Sequence, residues 1–162
     1  MQYDGTHLSK EIPMSQTIFE RLREDHERQR DLINALVRTH GDTDERREIY
    51  SELREELEVH AAAEEQAFYR HLMASDLTLE KARHSVAEHK ELDDLLEALT
   101  ETDPSSPGWL PQAKALRERL LHHLEEEEHE VFQMAGKALS NTQKTQLVGA
   151  FEQARERHAA AA

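Results

Sequence analysis

Four histidines, His26, His60, His89 and His123, each interrupt the apolar stripe of a separate amphipathic segment. Two are followed four residues later by a glutamate on the same stripe, as His60-Ala-Ala-Ala-Glu64 and His123-Leu-Glu-Glu-Glu127. A core-facing stripe should be apolar, because a buried imidazole or carboxylate is costly unless something satisfies it. Imidazole and carboxylate together suit non-haem iron, manganese or zinc. Six such residues on inward faces therefore point to a metal-binding core.

Spacing alone does not single them out. With 11 histidines and 34 acidic residues, HxxxE also arises at His7/Glu11, His84/Glu88 and His122/Glu126. Register along the helices is the stronger criterion. His26 lies 13 residues before Thr39 at the first turn, and His60 lies 17 after Thr43 at its end. His60 is 15 before Ser75 and His89 is 13 beyond Asp76; His89 is 11 before Thr100 and His123 is 14 after Trp109. At 1.5 Å per residue these offsets place the imidazoles within roughly 6 Å of one level in antiparallel helices. Residues four apart share a helix face, so Glu64 and Glu127 follow their histidines inward. Four imidazoles and two carboxylates suffice for two metal ions bridged by the glutamates. A single zinc ion and a metal-free, hydrogen-bonded polar layer are the alternatives.

The elements that must position this layer are all helical. A Thr17/Glu20 capping pair opens a first helix running to about Thr39, with Ile18, Leu22, His26, Gln29, Ile33 and Leu36 on its stripe. After the Gly41-Asp42-Thr43 turn, a second helix spans about Asp44 to Ala74 on Ile49, Leu53, Leu57, His60, Glu64 and Phe68. The third covers about Thr78 to Thr100, and Asp-Pro-Ser-Ser-Pro-Gly marks the next loop. The fourth runs from Trp109 to about Leu139 along Leu116, Leu120, His123, Glu127, Val131 and Met134; a shorter fifth covers Asn141 to His158. The fold class is all-α: short connections force an up-down-up-down four-helix bundle with a short additional C-terminal helix. The expected divisions are a flexible arm at 1–14, the bundle at 15–139, and a C-terminal helix with a frayed tail at 140–162. His71 falls on the His60 face about 16 Å away. His84, and the row His122, Glu126 and His129, fall toward solvent, while Phe68, Tyr69, Phe132 and Met134 read as core packing.

Composition narrows the partners. A formal charge of −14 argues against nucleic acid and anionic membrane surfaces. The absence of cysteine excludes thiolate zinc sites and iron–sulfur clusters. No segment approaches a membrane span and the first residues lack a signal-peptide core, so a cytoplasmic protein is expected, as a monomer or weak homodimer.

Asp25-His26, His60-xxx-Glu64-Glu65-xx-Phe68, Glu88-His89 and His123-xxx-Glu127-Glu128-xxx-Phe132 together resemble the HHE cation-binding domain of hemerythrin-like proteins, over roughly residues 18–139. The resemblance implies two iron ions in an oxo- or hydroxo-bridged di-iron centre. Glu64 and Glu127 would be the bridging carboxylates, and His26, His60, His89 and His123 the terminal ligands. Oxygen-carrying hemerythrins have a fifth histidine in an HxxxH pair on the third helix and HxxxxD on the fourth. Here Ser85 stands four residues before His89, and the fourth helix carries HxxxE. His84 or Glu65 is then the candidate to complete the coordination. The implied function is binding or sensing of dioxygen or a related small oxidant. Peroxide or nitric-oxide detoxification, including weak di-iron enzyme activity, and iron sensing or storage are the alternatives.

Overall fold

The computed structural model describes residues 16–161, so the expected arm at 1–14 and His7 lie outside the described residues. Helix α1 is Ile18–Leu36, opened by Thr17, whose hydroxyl accepts from the Glu20 amide at 3.3 Å. It ends three residues before the expected Thr39. Thr39 is instead drawn into the connection, where its carbonyl and hydroxyl accept from Arg46 at 2.8 and 2.9 Å. Arg46 also donates to the Pro104 carbonyl and stacks 4.1 Å from the Trp109 ring, tying two loops to one end of the bundle. Gly41, at φ +64°, makes the turn that a side chain would strain.

Helix α2 begins at Thr43, whose hydroxyl caps the Arg46 amide. It consists of Asp44–Glu64, a π-helical turn at Glu65–Tyr69 and a final α-turn, Arg70–Met73. Helix α3 is Leu79–Glu101. Helix α4 repeats the construction of α2: Trp109–Glu126, a π turn at Glu127–Val131, then Phe132–Ala138. Helix α5 is Asn141–Ala161, three residues beyond its expected end, and packs along α1 and α2. No strand occurs among the described residues.

The π turns correct the sequence expectation of two uninterrupted α-helices. One extra residue in a turn rotates everything after it by about 100°. His71, expected inward, is therefore exposed, and Leu72 is fully buried in its place. In α4, likewise, Ala135 is buried where Met134 was expected, and Met134 is only half-buried.

Two apolar clusters fill the interior, one on either side of the histidine level. One gathers Ile18, Leu22, Phe68, Tyr69, Phe132 and the inner face of α5. The other gathers Ile33, Leu36, Leu57, Leu96, Leu99, Trp109 and Leu120. Between them lies a layer of polar groups.

Candidate metal centre

All six expected residues meet in that layer. His26, His60, Glu64, His89, His123 and Glu127 are each at most 5% exposed, and the imidazoles present Nε2 to the two carboxylates. Glu64 directs Oε2 to His60 Nε2 and Oε1 to His89 Nε2, both at 3.1 Å. Glu127 directs Oε1 to His26 Nε2 at 3.1 Å and Oε2 to His123 Nε2 at 3.5 Å. Each glutamate thus spans two histidines from different helices. The result is two overlapping groups, His26/His60/Glu64/Glu127 and His89/His123/Glu64/Glu127, which share both carboxylates.

The contacts have the form of ligands around a common point. Adjacent ligands on an ion with bonds of about 2.0–2.2 Å lie roughly 3.0–3.4 Å apart, the separation of three of these four contacts, with His123 slightly beyond it. His26 Nε2, Glu64 Oε1 and Glu127 Oε1 are buried without a hydrogen-bond partner. His26 Nε2 and Glu127 Oε1 are nevertheless only 3.1 Å apart. They are close but not aimed at one another, and unsatisfied buried polar atoms are uncommon enough to require an explanation. The donor set fits a divalent cation that would satisfy all three.

The outer nitrogens are held by a closed ring of carboxylates. His60 Nδ1 donates to Asp25 at 2.7 Å, His89 Nδ1 to Glu65 at 2.9 Å, His123 Nδ1 to Glu88 at 2.9 Å, and His26 Nδ1 to Glu128 at 3.3 Å. The carboxylates come from α1, α2, α3 and α4 in turn, so each helix orients the histidine of its neighbour. Every one is the sequence neighbour of a layer residue, as Asp25-His26, Glu64-Glu65, Glu88-His89 and Glu127-Glu128. A carboxylate on the outer nitrogen fixes the tautomer that leaves Nε2 free for a metal. Glu65 therefore orients His89 rather than joining the inner layer. His84, the other candidate to complete it, lies on the surface facing Glu88 and Glu126.

The π turns bring in a group that sequence reasoning assigned to packing alone. Tyr69 is fully buried, its ring lies 5.7 Å from His89, and its hydroxyl donates to Glu127 Oε2. Phe132 is the equivalent residue in the other half, nine residues after His123 as Tyr69 is after His60, and it stacks on His26 at 6.0 Å. Ser85 is buried beside Tyr69, and its hydroxyl works against the upward push on the phenol. Its counterpart four residues before His26 is Leu22. The layer is thus nearly twofold symmetric but lined by hydroxyls on the His89–His123 side and by apolar groups on the other. The matching nine-residue offsets are the sequence signal for Tyr69, legible only once the two HxxxE segments are superimposed.

In the metal-free protein, protons occupy the role of cations. Burial disfavours the His89 imidazolium, but Glu64 and Glu65 outweigh it and raise the group to about 9. His26 is raised against the same penalty by Glu127 and Glu128, and His60 is raised strongly by Glu64 and Asp25. Glu64 is held well below the usual carboxylate range, the imidazoles outweighing its burial. Burial and the Glu127 charge push the Tyr69 phenol well up, so it remains a donor. A histidine raised on folding stabilises fully below its unfolded value, near 6.5, and ceases to do so as pH passes the folded value. The metal-free protein is expected to melt at a higher temperature at pH 6 than at pH 9, with the fall spread between about 6.5 and 9. Thermal melts in chelator-treated buffer would show this; an equal or higher melting temperature at pH 9 would contradict it.

Antiparallel helices and an inward layer of imidazole and bridging carboxylate define a helical-bundle protein of the cation-binding kind. The Hemerythrin HHE cation binding domain matches residues 17–135, and the chain belongs to that family. A crystal structure of a hemerythrin HHE cation binding domain-containing protein from Mycobacterium kansasii shares the fold, with a TM-score of 0.79 at 23% identity over 90% of this chain and 88% of that one. No curated protein sequence matches the chain. No helix among the described residues is long and apolar enough to cross a membrane.

Proposed function

We propose that the layer holds two iron ions, one between His26 and His60 and the other between His89 and His123, with Glu64 and Glu127 bridging both, and that the centre binds dioxygen or a related small oxidant. The observation that carries this reading is the pair of four-residue groups sharing both carboxylates. Iron supplies there an electron-rich centre for binding or reducing a small molecule.

The chain's own residues orient and shelter that centre. The four outer carboxylates fix the imidazoles, and Phe68, Phe132 and Phe151 limit water on one side. A small cavity lined by Gln29, Leu57, His60, Ala61, His89 and His123 adjoins the layer on the other. It shares Ala61, His89 and Asp93 with a groove between α2 and α3 that Ala62 and Glu65 also border. That groove is the side from which a small ligand would approach the layer. Tyr69 holds a proton at Glu127 Oε2, and Ser85 adds a second hydroxyl where oxygen carriers have an imidazole. This substitution favours turnover of peroxide or nitric oxide as the second reading over plain oxygen carriage.

The experiment is to expose anaerobically reduced, iron-loaded protein to air and follow its visible spectrum. A new absorption band that requires His60 is expected, reversible under vacuum for binding and irreversible for turnover. A spectrum unchanged by air would overturn the proposal.

A further inference from the structure

Two HxxxE pairs that looked accidental in the sequence, His84/Glu88 on α3 and His122/Glu126 on α4, face each other across the helix interface. His84 Nε2 is 3.2 Å from Glu126 Oε1, and His122 Nε2 is 3.2 Å from Glu126 Oε2. One carboxylate thus offers an oxygen to each of two imidazoles. Beneath them, Glu88 is 6% exposed. Its Oε1 accepts from His123 Nδ1, while its Oε2 points outward, 3.7 Å from His84 Nε2 and beyond hydrogen-bond reach. His84, Glu88 and Glu126 present ligand atoms within 4.8 Å of one another.

We propose that His84, Glu88 and Glu126 form a second, mononuclear site for a divalent first-row transition metal at the surface between α3 and α4, with His122 holding Glu126 in place through its other oxygen. His84 Nε2 lies 3.2 Å from Glu126 and 3.7 Å from Glu88, near the roughly 3.3 Å between ligands on a tetrahedral ion with bonds of about 2.0–2.1 Å. The chemistry suits it also: an imidazole among the ligands selects zinc, copper, iron or nickel over calcium or magnesium. Ion pairing alone accounts poorly for the arrangement. Histidines 56% and 61% exposed are satisfied by water, yet both turn their Nε2 atoms onto one glutamate. The surface site touches the buried layer at a single carboxylate, Glu88, which also orients His123.

The site goes beyond the iron reading and stands whatever the buried layer holds. The test is a calorimetric titration of the metal-free, full-length protein with Zn²⁺, repeated on the double variant His84→Ala/His122→Ala. These are surface positions, so the variant is expected to keep its circular dichroism and melting curve. The quantity read is the difference in equivalents bound. The wild type is expected to take up one more Zn²⁺ than the double variant, and His129→Ala, which removes an exposed histidine elsewhere on α4, is expected to match the wild type. A smaller change, Glu126→Gln, should weaken that equivalent at least tenfold. Equal stoichiometry in the wild type and the double variant would overturn the proposal, as would loss of the same equivalent in His129→Ala.

Discussion

Glu64→Ala is expected to reduce iron retained by the purified protein from two per chain to well under one. Glu64 is not the ligand of a single ion in this account. Its two oxygens lie 3.1 Å from His60 and 3.1 Å from His89, in different halves of the layer, so both groups of four lose a member at once. The loss also removes one of only two anionic ligands that offset the charge of the cations. Removing a terminal ligand, as in His26→Ala, should be milder and leave the His89–His123 half able to bind. The difference separates a bridging role from a terminal one. The metal-free variant should still fold, because two apolar clusters flank the layer and do not depend on it. Metal analysis beside circular dichroism measures both; two irons retained by folded Glu64→Ala protein would contradict the bridging assignment.

Arg155→Ala is expected to lower stability by about 3 kcal/mol, the range seen when one partner of a buried ion pair is removed. For a chain of this size that is roughly 6–12 °C in melting temperature. Arg155, on α5, donates to Asp25 at 2.8 Å and to Glu56 at 2.9 Å; Glu56 is 2% exposed. Without the guanidinium, two carboxylates face each other across α1 and α2, with Arg21, Arg28 and Gln29 left to offset them. The change reaches the metal layer as well, because the Asp25 oxygen that meets Arg155 also accepts from His60. Asp25 freed from Arg155 orients His60 less strictly, and iron affinity should fall about tenfold, the lower end for losses in the shell behind a ligand. Arg155→Lys keeps the charge but not the two-pronged geometry, and should recover stability only in part. Thermal melts of metal-free protein isolate the stability effect, and unchanged melting in Arg155→Ala would show that α5 is held by its apolar face alone.

The six layer residues were legible in the sequence because they break a rule. Histidine and glutamate on an otherwise apolar helical stripe require an explanation, and counting from the turns places them at one level. The ring behind them was written equally plainly, each carboxylate being next to a layer residue. In a chain with 34 acidic residues, however, nothing local separates Asp25 or Glu88 from a solvated side chain. Only the packing of neighbouring helices reveals which histidine each one meets. The π turns were not legible at all. An α-helical count through α2 and α4 moves the inward position by one residue, to His71 instead of Leu72 and to Met134 instead of Ala135, and hides Tyr69 among packing groups. Such turns recur at functional sites, where they insert an extra inward side chain. Arg155 lies 130 residues from Asp25, a distance over which helical periodicity carries no information.

The claim on which the rest depends is that one layer holds two metal ions between shared carboxylates. The most direct measurement is the iron count per chain after anaerobic loading with ferrous iron and passage over a chelating resin, which strips surface-bound metal. Two irons per chain are predicted for the wild type. One iron, or none, would contradict a dinuclear centre at Glu64 and Glu127.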